Sequence, residues 1–272
     1  MVVRVEDQSL INVEAPISTI GMHHETVIAS KPGETFLLSE CYVTIQGESS
    51  LVGTPTVFVR LYSCNLRCAW CDSVYAVEGG DYREVPIAEI VSRVEELARA
   101  DGGRDRRGIS HVCWTGGEPL LQWKSVARVI EALPAHFVHS IETDGEVDLL
   151  PFDRTMAAKR DAGLVRYIMD IKCPGSTMVP KKAFENLRFL RPVDEVKFVI
   201  LDRRDYEFAR QVLAEHEIPA GTLLFSPVTP AHQVPEGLDP ATLAGWILED
   251  RLDVRLQPQM HKVLWPGKER EI

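Results

Sequence analysis

Cys64, Cys68 and Cys71 stand in the run CNLRCAWC, the spacing C-x3-C-x2-C. Thiols this close in the chain must wrap around a common centre. Three thiolates grip three corners of a cubane iron–sulfur cluster and leave one iron without a protein ligand. An open coordination position is what makes a metal site catalytic rather than structural. Two other arrangements are open to the same residues. A structural zinc needs four ligands, and within thirty residues of the loop the one further Cys or His is Cys41, in an apolar, strand-like run. A disulfide staple belongs to a secreted chain. The remaining cysteines, Cys41, Cys113 and Cys173, are scattered, which is the pattern of a reducing compartment.

A second candidate is the run GGEP over 116–119. Two glycines permit backbone shapes closed to other residues and let a ligand approach the main chain. Glu118 can accept a charge-assisted hydrogen bond from an ammonium group. The same four residues also suit a plain β-to-α turn with proline at the helix start. Their place downstream of the three-cysteine loop, and just after a strand-like run, favours a functional turn.

These residues need elements to hold them. Strand patterns cover 36–44, 56–61, 109–114, 137–141, 167–171, 196–201, 223–225 and 254–256, and helical periodicity covers 86–100, 120–133, 205–215 and 241–248. In the first helix Pro86 takes the first turn, and Ile87, Ile90, Val91, Val94, Leu97 and Ala98 follow at three-and-four spacing. Strands alternating with amphipathic helices imply an α/β fold with a parallel sheet. A full eight-fold barrel takes about 250 residues, and the helical signal supports fewer repeats, so the expected architecture is an incomplete TIM-type barrel with outer helices. The loop at Cys64, the Thr115–Pro119 turn, the 142–145 run, Lys172 and the Ser226-Pro227 pair each follow a predicted strand. Ligands of parallel α/β folds bind at the carboxyl ends of strands, so five segments converge on one rim. Residues 1–34 show no sustained periodicity and read as an N-terminal extension of unknown role, ahead of one domain over 35–272.

The net charge of −10 argues against a sequence-independent grip on nucleic acid. The start, MVVRVEDQSL, carries Glu6 and Asp7 where a secretory leader would be basic and then apolar. No apolar run approaches the ~18 residues that span a bilayer. A cytoplasmic enzyme without a membrane partner is expected.

The cysteine loop, with aromatic Trp70 before the third thiol, and the GGEP run resemble the radical S-adenosylmethionine (SAM) superfamily. Further runs resemble its 7-carboxy-7-deazaguanine synthase family: ECYVTIQGE over 40–48, GTP over 53–55, FVRLYSCNLRCAWCDS over 58–73, DIKCPGS over 170–176, DEVKFVI over 194–200 and QMHK over 259–262. The similarity runs from about residue 36 to about 266, dense in the first third and sparser after it. It implies a radical SAM core carrying a 4Fe–4S cluster, SAM and Mg2+. One electron from the reduced cluster would break a carbon–sulfur bond of SAM and yield a 5′-deoxyadenosyl radical. That radical would take hydrogen from C6 of 6-carboxy-5,6,7,8-tetrahydropterin; ring contraction and loss of ammonia would give 7-carboxy-7-deazaguanine, a precursor of queuosine and other 7-deazapurines. The resemblance also implies a flavodoxin- or ferredoxin-type electron donor and a homodimer, although no interface signature is visible in the chain.

Roles follow by resemblance, each beside a plainer one. Ile45, Gln46 and Gly47 would line the pterin site, or form a strand-end turn. Arg60 would meet the substrate carboxylate, whose planar anion suits a guanidinium, or lie on the surface. Thr115 would touch the substrate, Gly117 and Glu118 the SAM. Ser73 would offer its hydroxyl to magnesium, which prefers oxygen ligands; Asp72 is a rival ligand or a cap. Asp170, Ile171 and Lys172, and the turn Ser226, Pro227, Val228 and Thr229, would contact SAM; Asp170 and Lys172 could instead be a structural ion pair. His261 would face the pterin or be structural. Asp144 stands where the family more often has Asn, and the tail over 266–272 puts a terminal-carboxylate contact in doubt. Two rival functions use some of the same residues: a glycyl-radical activating enzyme, which needs a broad docking surface, and a zinc-binding scaffold module.

Overall fold

Alternation within the strands decides which side chains meet helices and which face inward. In β2 (Pro55–Leu61), Val57, Val59 and Leu61 join the main core while Phe58 and Arg60 turn to the other face. In β4 (His111–Gly116), Val112 and Trp114 enter that core while Cys113 packs with Phe58 and Tyr42. The computed structural model describes residues 29–100, 108–230, 234 and 236–271. Besides β2 and β4 the strands are β1 (Thr35–Ile45), β3 (Arg83–Pro86), β5 (Val138–Thr143), β6 (Val165–Asp170), β7 (Glu195–Ile200), β8 (Thr222–Pro227) and β9 (Arg255–Leu256). The helices are α1 (Ile87–Ala98), α2 (Trp123–Ala132), α3 (Leu150–Thr155), α4 (Ala157–Asp161), α5 (Lys182–Asn186), α6 (Arg203–Glu215), α7 (Pro240–Asp250) and α8 (Met260–Leu264).

The nine strands of the described residues form one sheet in the order β3-β1-β2-β4-β5-β6-β7-β8-β9. From β2 to β9 every pairing is parallel, and β1 runs antiparallel to both β2 and β3. No pairing joins the outermost strands β3 and β9 among the described residues. The fold is the expected α/β type, an incomplete barrel of parallel strands with outer helices, and the parallel order places the loops after β2, β4, β5, β6 and β8 on one rim.

The structure adds elements that periodicity missed. Strand β3 pairs Arg83–Pro86 with Thr35–Leu38, and Pro86 is its last residue, serving as N-cap of α1 instead of occupying the first helical turn. Helices α3, α4 and α5 have five or six residues each, too few for a 3.6-residue repeat to register. Residues 29–34 pack on the domain: Ala29 is buried with Leu37 and Tyr62, and the Gly33 N–H donates to Ser125 Oγ at 2.8 Å. Most of the expected N-terminal extension, residues 1–28, lies outside the described residues. No helix of the described residues is long and apolar enough to cross a membrane.

Candidate active site

After β2 the chain enters the three-cysteine loop. Ser63 takes a left-handed backbone at φ +84° and donates its N–H to the Ala76 carbonyl at 2.9 Å. The GGEP turn lies alongside: the Gly117 N–H donates to the Leu61 carbonyl at 3.0 Å and the Glu118 N–H to the Ser63 carbonyl at 2.8 Å. A Cβ on Gly116 would overlap the Leu61 carbonyl oxygen, and one on Gly117 the Ser63 carbonyl oxygen. Both glycines are therefore required where two backbones touch. The segment after β6 supports the loop from another side. The Ala69 N–H donates to the Ser176 carbonyl at 3.1 Å, and Gly175 lies against the Trp70 ring.

All six cysteines are free of disulfides. Burial pushes the Cys64 and Cys68 thiols up and the Cys71 thiol up to about 11, while the Lys172 ammonium acts in the opposite sense on all three. Coordination to iron deprotonates a thiol outright. No three His, Cys, Asp or Glu side chains converge on one point among the described residues, as a structural zinc would require. A cubane asks for something different, since each thiolate meets its own iron. The donor set of the loop fits such a cluster.

Glu118 follows the two glycines of the turn. It is fully buried, and its oxygens already accept from the Leu120 N–H at 2.8 Å, the Asp144 N–H at 2.7 Å and the Thr143 hydroxyl at 3.0 Å. Burial, then the nearby Asp144, raises its pKa. The carboxylate ties the GGEP turn to the end of β5, and the main chain of the turn faces the cysteine loop. Ile171 is also fully buried in the helix-side core, so only its main chain reaches the rim, with the N–H donated to the Lys197 carbonyl at 2.9 Å. Asp170 ends β6, accepts from Lys172 Nζ at 2.9 Å, and keeps its other oxygen buried without a partner. Ser226 Oγ is likewise buried and unpartnered. Orphaned polar atoms at two positions singled out for SAM fit a polar nucleotide cofactor. Val228 is buried, and the Thr229 hydroxyl donates to Gln259 Oε1 at 2.6 Å.

A cleft enclosing about 500 Å³ of empty space, open solvent at its mouth included, lies beside this rim. Gln46, Gly47, Arg60, Ser73, Thr115 and His261, all expected there, line it; Ile45 does not, because it ends β1 in register with Pro55. Arg60 is no surface residue. Its guanidinium donates to Glu40 at 3.2 Å, Ser73 Oγ at 3.3 Å and Tyr42 Oη at 3.0 Å. An arginine has five N–H donors, so donors remain for an anion. Glu142 accepts from the Thr115 hydroxyl at 2.8 Å and from Gln46 Nε2 at 3.3 Å, aligning two cleft residues. The His261 ring rests directly on Gly47, where any Cβ would overlap it, and the Met260 N–H donates to the Gly47 carbonyl at 3.0 Å. Burial lowers the His261 pKa, with Glu48 and Asp72 acting against that shift. Glu48 binds Lys197 Nζ at 2.6 Å and Gln259 Nε2 at 2.7 Å. Burial would raise Asp72, but Lys262, the Ser73 hydroxyl and Arg60 hold it down to about 2. Adjacent oxygens of Asp72 and Ser73, 2.8 Å apart, suit a hard cation such as Mg2+.

A model of the Radical SAM superfamily matches residues 59–196. The 7-carboxy-7-deazaguanine synthase of Koribacter versatilis is 41% identical over 240 residues, 84% of this chain and 96% of that protein. The enzyme of the same name from Chlorobaculum tepidum is 36% identical over 232 residues, 84% of this chain and 93% of its own length. This chain belongs to the 7-carboxy-7-deazaguanine synthase family. It is a radical SAM lyase family, and membership implies a 4Fe–4S cluster and SAM as cofactors. The fold matches solved structures as well. QueE from Escherichia coli superposes with a TM-score of 0.58 at 21% identity, covering 84% of this chain and 95% of that one. Streptococcus suis SuiB, solved bound to S-adenosylmethionine, gives 0.52 at 12% identity over 76% of this chain and 51% of that one.

Several cleft residues of this family member carried no signal of their own. Phe58 and Tyr75 are aromatic residues without a chemical cue of their own, and Glu269 falls in a charged tail. Glu142 was detectable as a carboxylate just after a predicted strand, and Lys262 as the end of the QMHK run.

Proposed function

We propose that this chain is a carbon–nitrogen lyase that contracts 6-carboxy-5,6,7,8-tetrahydropterin to 7-carboxy-7-deazaguanine with loss of ammonia, in the route to queuosine and other 7-deazapurines. The single observation that supports this substrate most is the cleft in which Arg60, Gln46, Thr115 and His261 meet beside Ser73, two residues from the last cluster cysteine. When bound, the reduced cluster and SAM supply a carbon-centred radical, which is the hard chemistry of the reaction.

The chain's own residues do the rest. Arg60, held by Glu40 and Tyr42, presents its remaining N–H donors to the substrate carboxylate. Gln46, Thr115 and Glu142 form one hydrogen-bonded group that reads the polar edge of the pterin. His261 is neutral near pH 7 and holds an imidazole nitrogen against the cleft. The main chain of Gly117, with Asp170, Lys172 and the Ser226–Thr229 turn, would hold and orient SAM. Glu118 acts by fixing the turn. Ser73 and Asp72 would hold magnesium. Helix α8, docked on Gly47, forms one wall of the cleft. The activase alternative calls for a broad protein-docking surface, which a small cleft lined by charged groups does not supply. Reduction by a flavodoxin- or ferredoxin-type donor, a homodimeric state, a cytoplasmic setting and an N-terminal extension over 1–34 complete the proposal.

Anaerobic incubation of reconstituted protein with reductant, SAM and the carboxytetrahydropterin tests it. A deazapurine product is expected. Accumulation of 5′-deoxyadenosine alone would sink the substrate assignment.

A further inference from the structure

Two buried oxygens on neighbouring strands lack partners among the described residues: Ser226 Oγ and Gln257 Oε1. Phe225 of β8 pairs with Leu256 of β9, and the Gln257 N–H donates to the Phe225 carbonyl at 2.9 Å. Phe225 and Leu256 both turn to the helix-covered core. The next residue on each chain, Ser226 and Gln257, therefore turns to the opposite, inner face. Both are almost completely buried, at 2% and 3% exposure. The Gln257 amide nitrogen is committed to the Pro258 carbonyl at 3.2 Å, so the side chain presents its oxygen.

Leaving a buried polar group unpaired is costly, and two at adjoining positions point to a ligand that satisfies both. Its chemistry can be read from the pair. One group is a neutral acceptor and the other a hydroxyl able to donate. An anion would be repelled by the amide oxygen, and a cation would find no charge there. Adenine presents an amino donor beside a ring-nitrogen acceptor, the complement of this pair and the reason amides read adenine elsewhere. Resting on the functional reading above, we propose that Gln257 and Ser226 recognise the adenine of SAM, Gln257 accepting from the exocyclic amine and Ser226 donating to the neighbouring ring nitrogen. Gln257 is thus a specificity residue supplied by the C-terminal strand.

Equilibrium dialysis of cluster-loaded protein under anaerobic conditions, with SAM and with S-inosylmethionine, separates the outcomes. The inosine analogue carries an oxo group where SAM has the amine. Wild type should prefer SAM by roughly tenfold to a hundredfold. Gln257→Leu should weaken SAM binding by about tenfold and leave the analogue nearly unchanged, so the preference collapses. Equal weakening of both ligands would assign Gln257 a packing or water-binding role and overturn the inference, as would unchanged binding of both. Ser226→Ala is the smaller change if the Gln257 variant does not fold; at least a fivefold loss of SAM affinity is expected by the same reasoning, and no loss overturns the pairing. Wild type that binds no SAM at all would overturn the functional reading itself and this inference with it.

Discussion

Single side chains carry the chemistry here, and their neighbours decide how each can be tested. Arg60 serves Glu40, Ser73 and Tyr42 at once. A lysine at that position has a single ammonium and no planar fork. Arg60→Lys should therefore raise the KM for the pterin by roughly tenfold or more, while SAM cleavage without substrate continues; an unchanged KM would remove Arg60 from carboxylate binding. Cys68→Ala should fold but lose the brown colour, the iron and the activity together. Cys113→Ala and Cys173→Ala should keep their iron, because Cys113 packs with Tyr42 and Phe58 and Cys173 lies in the main core; iron loss in either would mean that the wrong thiols have been chosen. Cys64, Cys68 and Cys71 stood out because their spacing puts three thiols in one short loop. The grouping of Glu142 with Gln46 and Thr115 did not, since three separate segments meet only once the sheet forms.

At the scale of elements, the main strands and long helices were readable from periodicity, and the short pieces were invisible for want of length. Hidden among them is the ion network that pins α4 to β7. Arg160 of α4 donates to Asp194 at 2.8 and 3.1 Å and to Asp153 at 2.6 Å, and its guanidinium lies 3.8 Å from the centre of the Tyr167 ring. Asp194 also accepts the Tyr167 N–H and the Arg191 N–H, each at 2.7 Å. Arg160 and Asp194 side chains are both fully buried. Removing Asp194 leaves Arg160 with Asp153 as its remaining carboxylate partner and takes the acceptor from two backbone N–H groups, and breaking a buried pair of this kind costs about 3–5 kcal/mol. Asp194→Ala should lose that much in urea unfolding, whereas a change below about 1 kcal/mol would mean that water reaches Arg160 in the folded chain. The sequence run over 194–200 resembled its family as a block. The structure separates it into a packing role for Asp194 and a cleft role for Lys197, which holds Glu48.

Across the whole molecule, the sheet buries two histidines that no site uses. His111 bridges the Thr56 hydroxyl at 2.9 Å and the Ser140 hydroxyl at 3.0 Å, joining β2, β4 and β5 at the floor of the inner face. His139 meets the Trp114 indole N–H at 3.3 Å on the helix side. Burial first, then the nearby Arg166, lowers His111 to about 4; burial, then Lys159, lowers His139 to about 3. Each folded value lies below the ordinary 6.5, so the unfolded chain binds more protons than the native one between the two. Stability is then complete above pH 6.5 and falls with acid by about 1.4 kcal/mol per pH unit for each histidine. Glu118 and Asp144 act in the opposite sense, because burial raises both and their contribution fades as pH rises. The wild-type slope is therefore a difference of two terms, and a variant is needed to isolate one of them. His111→Asn keeps a polar side chain for Thr56 or Ser140 but cannot take up a proton. The stability gap between wild type and this variant should narrow as pH falls from 6.5 to about 4, by about 1.4 kcal/mol per unit. A gap that stays constant across that window in denaturant titrations would show that His111 takes up its proton inside the folded sheet as readily as outside it.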